Sequence, residues 1–104
     1  MPLREFFDYV SATDRLRYRI LTERGQVFDF VVQYETETFG EFRPVVRYDA
    51  SHGHGHRDLL DAEGGTVRKD WLPEDLSLKE CLNYAALDLR VNWRHYRQQF
   101  MEQF

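Results

Sequence analysis

A chain of 104 residues with 42% hydrophobic and 15% aromatic content has room for one domain, residues 1–104, around one core, and it carries too much large apolar side chain to stay disordered. Fourteen basic against eighteen acidic residues give a net charge of −4, which excludes nucleic-acid binding through bulk charge but leaves room for a local basic patch. The lone cysteine, Cys81, excludes an intrachain disulfide and a Cys-rich zinc finger, and no apolar run reaches membrane-spanning length, so the expectation is a cytoplasmic protein with no membrane partner.

Leu3, Phe6, Phe7 and Val10 fall at steps of three and four, which allows a short N-terminal helix ending in the turn-like cluster Ser11–Asp14. Strict alternation follows: Leu16, Tyr18 and Ile20 against Arg15, Arg17 and Arg19, the pattern of a half-buried strand. Arg24-Gly25 supplies a turn. Val27 to Thr36 then reads as a strand, with Phe28, Phe30, Val32 and Tyr34 on one face and Asp29, Gln33 and Glu35 on the other. Phe39-Gly40 turns the chain into a strand from Phe42 to Asp49, with Val46 and Tyr48 inward and Pro44 where no ladder donor is needed. His56 to Leu60 makes a fourth strand. Beyond the turn at Glu63-Gly64-Gly65, Thr66 to Trp71 makes a short fifth.

Ser77-Leu78-Lys79-Glu80 has the form of a capping box, so the last helix begins near Leu78 and runs toward the C-terminus. Its apolar stripe is Leu78, Leu82, Ala85, Leu89, Trp93, Tyr96 and Phe100. Strands first and helix last is an α+β order: an antiparallel meander of four to five strands packed by one long C-terminal helix.

Three of the four histidines lie in Ser51-His52-Gly53-His54-Gly55-His56-Arg57-Asp58, read as a loop between strands. In an extended segment His52, His54 and His56 project from one face, where two imidazoles and a carboxylate such as Asp49 or Asp58 form a ligand list for a divalent metal such as zinc. The two glycines would allow the close backbone approach such a loop needs. A solvent-exposed Gly/His loop is the plainer reading. Arg15, Arg17 and Arg19, extended by Arg43, Arg47 and Arg57, form either cross-strand ion pairs or a surface that grips phosphate. The tyrosines at 18, 34 and 48 point to the core, leaving that arginine face without a stacking platform. Arg90 to His95 has the R-x4-H spacing that marks HEPN ribonucleases, yet those proteins are all-helical, and arginines at 90, 94 and 97 read as a solvated helix face. Cys81 falls on the apolar side of the helix and reads as core.

The run Pro44-Val45-Val46-Arg47-Tyr48-Asp49, with His52-Gly53 and His56-Arg57-Asp58, resembles a family of uncharacterised small prokaryotic proteins with the pattern P-V-V-R-Y-D-x-x-H-G-x-x-H-R-D. That pattern is followed by a helix carrying N-W-x-x-Y, here Asn92, Trp93 and Tyr96. The resemblance spans roughly residues 27–100, supports the fold and implies no activity. His54 departs from the pattern, which turns attention to His52, His56 and Asp58. In architecture the chain also resembles the TumE-type toxins of toxin–antitoxin pairs, which implies a protein partner.

Three functions follow. The first is a toxin–antitoxin-like or other interaction module whose partner is a protein or a second copy of the chain. The alternatives are a small RNA-directed nuclease, with His52, His56 and Asp58 catalytic and Arg47 and Arg57 binding the anion, and a metal-binding protein using His52, His56 and Asp49.

Overall fold

The computed structural model describes residues 2–51 and 53–104. Six strands pair antiparallel in chain order: β1 Leu3–Tyr9, β2 Asp14–Glu23, β3 Gln26–Thr38, β4 Glu41–Ser51, β5 His54–Leu60 and β6 Thr66–Trp71; one helix, α1 Leu78–Met101, ends the chain. The meander and its terminal helix match the expected class, but the sheet has six strands rather than four to five.

The extra strand is the segment expected to be helical. Leu3 to Tyr9 pairs along its whole length with Leu21 to Arg15. Its aromatics serve both faces: the Phe6 ring stacks on Tyr18 at 4.6 Å, and Phe7 lies under the Arg15 guanidinium at 4.0 Å. Four apolar residues at mixed spacing fit either element, and an open edge of β2 with backbone donors and acceptors to satisfy decides for the strand.

The β2–β3 and β3–β4 hairpins turn on Arg24-Gly25 and Phe39-Gly40, both pairs at positive φ, a conformation whose twist matches that of the strands they join. Two register shifts explain apparent breaks in alternation. Leu21 pairs with Asp29 but Thr22 with Val27, so Phe28 is the extra residue and stays 56% exposed instead of joining Phe30, Val32 and Tyr34 in the core. Tyr34 pairs with Val46 but Glu35 with Pro44, so Val45 is extra and Pro44 sits at the bulge.

Register divides the sheet into two faces. Rows such as Leu16–Tyr34–Val46–Leu59 and Tyr18–Val32–Tyr48–Arg57 lie beneath α1. The helix packs on β3, β4 and β5 and buries Cys81, Ala85, Leu89, Trp93, Tyr96 and Phe100. The capping box is complete, with Glu80 N donating to Ser77 Oγ and Ser77 N donating to the Glu80 carboxylate. The stripe begins at Cys81, with Leu78 and Leu82 half-buried at its flank. Among the described residues no helix covers the opposite face of the sheet, which carries the alternate residues of each strand.

Candidate functional site

Two rows cross the open face from β2 to β6. One runs Arg19–Val31–Asp49–His56–Trp71, the next Arg17–Gln33–Arg47–Asp58–Lys69. Period-two alternation in His54-Gly55-His56-Arg57-Asp58-Leu59 sends His56 and Asp58 to this face and Gly55, Arg57 and Leu59 to the helix side. The expected histidine loop is therefore largely strand: β4 runs on to Ser51 and β5 starts at His54.

His56 is 3% exposed. Its Nε2 lies 2.9 Å from Asp49 Oδ1, its cross-strand partner, and 3.3 Å from Asp58 Oδ2, two residues along the same strand. Ligand atoms of the three residues lie within 4.8 Å of one another. The Trp71 ring covers the imidazole at 5.1 Å, and Lys69 Nζ approaches Asp58 Oδ1 at 3.8 Å. Two buried atoms of the cluster, His56 Nδ1 and Asp58 Oδ1, have no hydrogen-bond partner among the described residues, which leaves polar capacity there unsatisfied by them. Burial pushes the Asp49 carboxyl above the ordinary carboxylate range; His56 pulls it down and Asp58 raises it further, and the upward effect prevails.

The structure merges two candidate sets and separates others. Asp49, expected with the metal ligands, and Asp58, expected with the catalytic residues, converge on the same imidazole. His52 lies outside the described residues. His54 shares the face with His56 but is exposed, its ring edge-on to Trp71 at 6.4 Å. Arg47 is on the open face, donating from Nε to Gln33 Oε1 at 2.8 Å. Arg57 is on the other side: it pairs with Asp70 and donates to Tyr96 Oη at 2.9 Å, so it cannot share an anion with His56. Gly55 serves the helix, not a metal loop. A Cβ there would meet Cys81 Sγ at 2.7 Å and Leu72 Cδ1 at 3.1 Å.

The open face also has the stacking surfaces that the inward tyrosines suggested it lacked. Arg15 is sandwiched between the Phe7 and Phe42 rings at 4.0 and 3.8 Å and pairs with Glu35 at 2.7 Å, while Trp71, 58% exposed, closes the far end. Trp71 escaped notice as a site residue because its partner in the row, His56, is fifteen positions away; only strand register joins them. Arg90 and His95, the R-x4-H pair, are exposed on α1, with Arg90 paired to Asp8 of β1.

No helix among the described residues is long and apolar enough to cross a membrane. No curated protein and no solved structure matches the chain. The family described as Domain of unknown function (DUF7718) matches residues 1–104, and the chain belongs to that family.

Proposed function

We propose that the protein binds a divalent cation through Asp49, His56 and Asp58 and that this ion is the centre of its activity. The carrying observation is the spacing of the three side chains. Adjacent ligands on an octahedral ion with bonds of roughly 2.1 Å lie about 3 Å apart. The imidazole nitrogen stands at 2.9 and 3.3 Å from the two carboxylate oxygens. Two carboxylates match the charge of a divalent ion, and one imidazole with two oxygens suits Mn²⁺ or Zn²⁺ with coordination positions left open. Bound there, such an ion supplies Lewis acidity to a ligand on the sheet face; Trp71 shields the imidazole from water, and Lys69 steadies Asp58.

Calorimetric titration of untagged, chelator-washed protein with Mn²⁺ and with Zn²⁺ tests this. One ion should bind per chain, and Asp49→Asn with Asp58→Asn should weaken binding by more than about 100-fold, since loss of outer-shell partners alone costs up to that much. His54→Ala should leave it unchanged. Absence of saturable binding, or equal binding by the double variant, rejects the proposal.

A second reading, a module that binds a protein partner, is favoured by a second apolar stripe on α1. Tyr84, Leu87 and Val91 are all at least half exposed at helical spacing. Native mass spectrometry that recovers only a monomer, from cells in which the protein is made at its normal level, counts against it.

A further inference from the structure

We infer that the open face binds single-stranded nucleic acid, with phosphates over Arg17 and Arg47 and a base against Trp71, the chain crossing the strands toward the Asp49–His56–Asp58 cluster. This names the substrate class of the proposed metal centre and rests on that reading for its chemistry, though the arginine contacts stand without the ion.

Three observations carry it. First, a groove of about 210 Å³ lined by Arg17, Arg19, Val31, Gln33 and Arg47 lies on this face. Arg19 in it is paired with Glu5, whereas Arg17 and Arg47 have no carboxylate partner among the described residues; Arg47 is held by the neutral Gln33. Arg17 is exposed and Arg47 half-buried, and guanidinium groups that no carboxylate holds are matched to phosphate oxygens. Second, the groove and the metal cluster share rows. Arg47 is the cross-strand partner of Asp58, and the row Arg17–Gln33–Arg47–Asp58–Lys69 crosses five strands, about 19 Å at roughly 4.8 Å per strand. That span takes a few nucleotides of extended chain. Third, an exposed indole terminates the neighbouring row beside His56, and base stacking on such a ring tolerates any sequence.

The acidic residues within these rows are Asp49 and Asp58 of the cluster, while others such as Asp61, Glu63, Glu74 and Asp75 sit in turns outside them. A sheet face of this kind suits a single strand better than a duplex, whose grooves and stiffness ask for a protruding element.

The test is fluorescence anisotropy with labelled ~12-nucleotide oligouridine and oligothymidine, at about 50 and 200 mM salt, in chelator. Wild-type protein should bind saturably. Arg17→Gln with Arg47→Gln should weaken binding by at least about tenfold and flatten the log–log salt slope by about 1.4, two phosphate contacts at roughly 0.7 each. Trp71→Ala should weaken it by about 5-fold or more with the slope unchanged. Arg4→Gln, a change on β1 outside both rows, should have no effect. Tighter binding of RNA would assign a 2′-hydroxyl contact, and equal binding would assign the phosphate chain alone; both support the inference. No saturable binding by wild type, unchanged affinity in the arginine double variant, or equal loss in Arg4→Gln overturns it. Because chelator is present, these outcomes are independent of whether the cluster binds metal, which calorimetry decides separately.

Discussion

Asp14 shows how a single carboxylate is made to depend on its surroundings. It opens β2 nearly buried, where burial alone would raise its pKa. The hydroxyls of Ser11, Tyr34 and Thr13 all donate to it, at 2.6, 2.6 and 3.0 Å, and together hold it below the ordinary carboxylate range. Arg97 of α1 stands 3.6 Å away. A carboxylate with a depressed folded-state pKa stabilises the fold above its unfolded value, near 3.9, and loses that contribution as pH falls through the folded value. Urea unfolding of wild type and Asp14→Asn should therefore differ by about 1–3 kcal/mol at neutral pH and converge as the pH drops below about 4. A gap that stays constant through the acid range would mean that the ionised carboxylate is not what the hydroxyls recognise. At this scale the sequence is least informative. Asp14 reads as a turn residue, and nothing local says that Tyr34, twenty positions on, donates to it.

At the scale of elements, the parts that follow one period are plain from the residues. The capping box fixes the start of α1, and alternation fixes the core faces of β2, β3 and β4. Legibility fails where two periods overlap or a bulge intervenes. Leu3, Phe6, Phe7 and Val10 satisfy helical spacing by accident, and the pairing with β2 that overrides it is a long-range fact. Phe28 looks inward until the register shift at Leu21/Thr22 turns it out. In His54-Gly55-His56 the imidazoles draw the eye to a loop, yet Gly55 is the residue that lets α1 approach β5, with the Leu72 N–H donating to its carbonyl at 2.9 Å and Cys81 packed over its Cα. Gly55→Ala should therefore lift the first turn of the helix and lower stability by about 1–3 kcal/mol, read as a lower urea midpoint at constant m value. If Gly55→Ala is neutral, the contact between Cys81 and β5 is looser than the 2.7 Å clearance implies.

Across the whole molecule the sheet divides labour between its faces. Beneath α1 lie the large buried side chains Leu16, Phe30, Val32, Tyr34, Val46 and Tyr48, locked to the helix by Leu89 and Trp93 and by the Tyr48 hydroxyl, which donates to Asp88 of α1. The open face instead buries charge: two carboxylates about one imidazole, with a buried nitrogen and a buried oxygen that make no hydrogen bond among the described residues. A protein that needed this cluster only for stability would do better with apolar side chains there, because desolvating charges offsets most of what their attraction returns. The division predicts opposite responses. Leu89→Ala, which empties a fully buried site, should cost about 2–5 kcal/mol. Asp49→Asn should change stability by less than about 1 kcal/mol, because it relieves a desolvated carboxylate and its repulsion from Asp58 while keeping the side chain's shape. Both are measured by urea unfolding of metal-free protein near neutral pH. A loss in Asp49→Asn that rivals Leu89→Ala would make the cluster a structural ion network, and the case for a ligand on that face would fall with it.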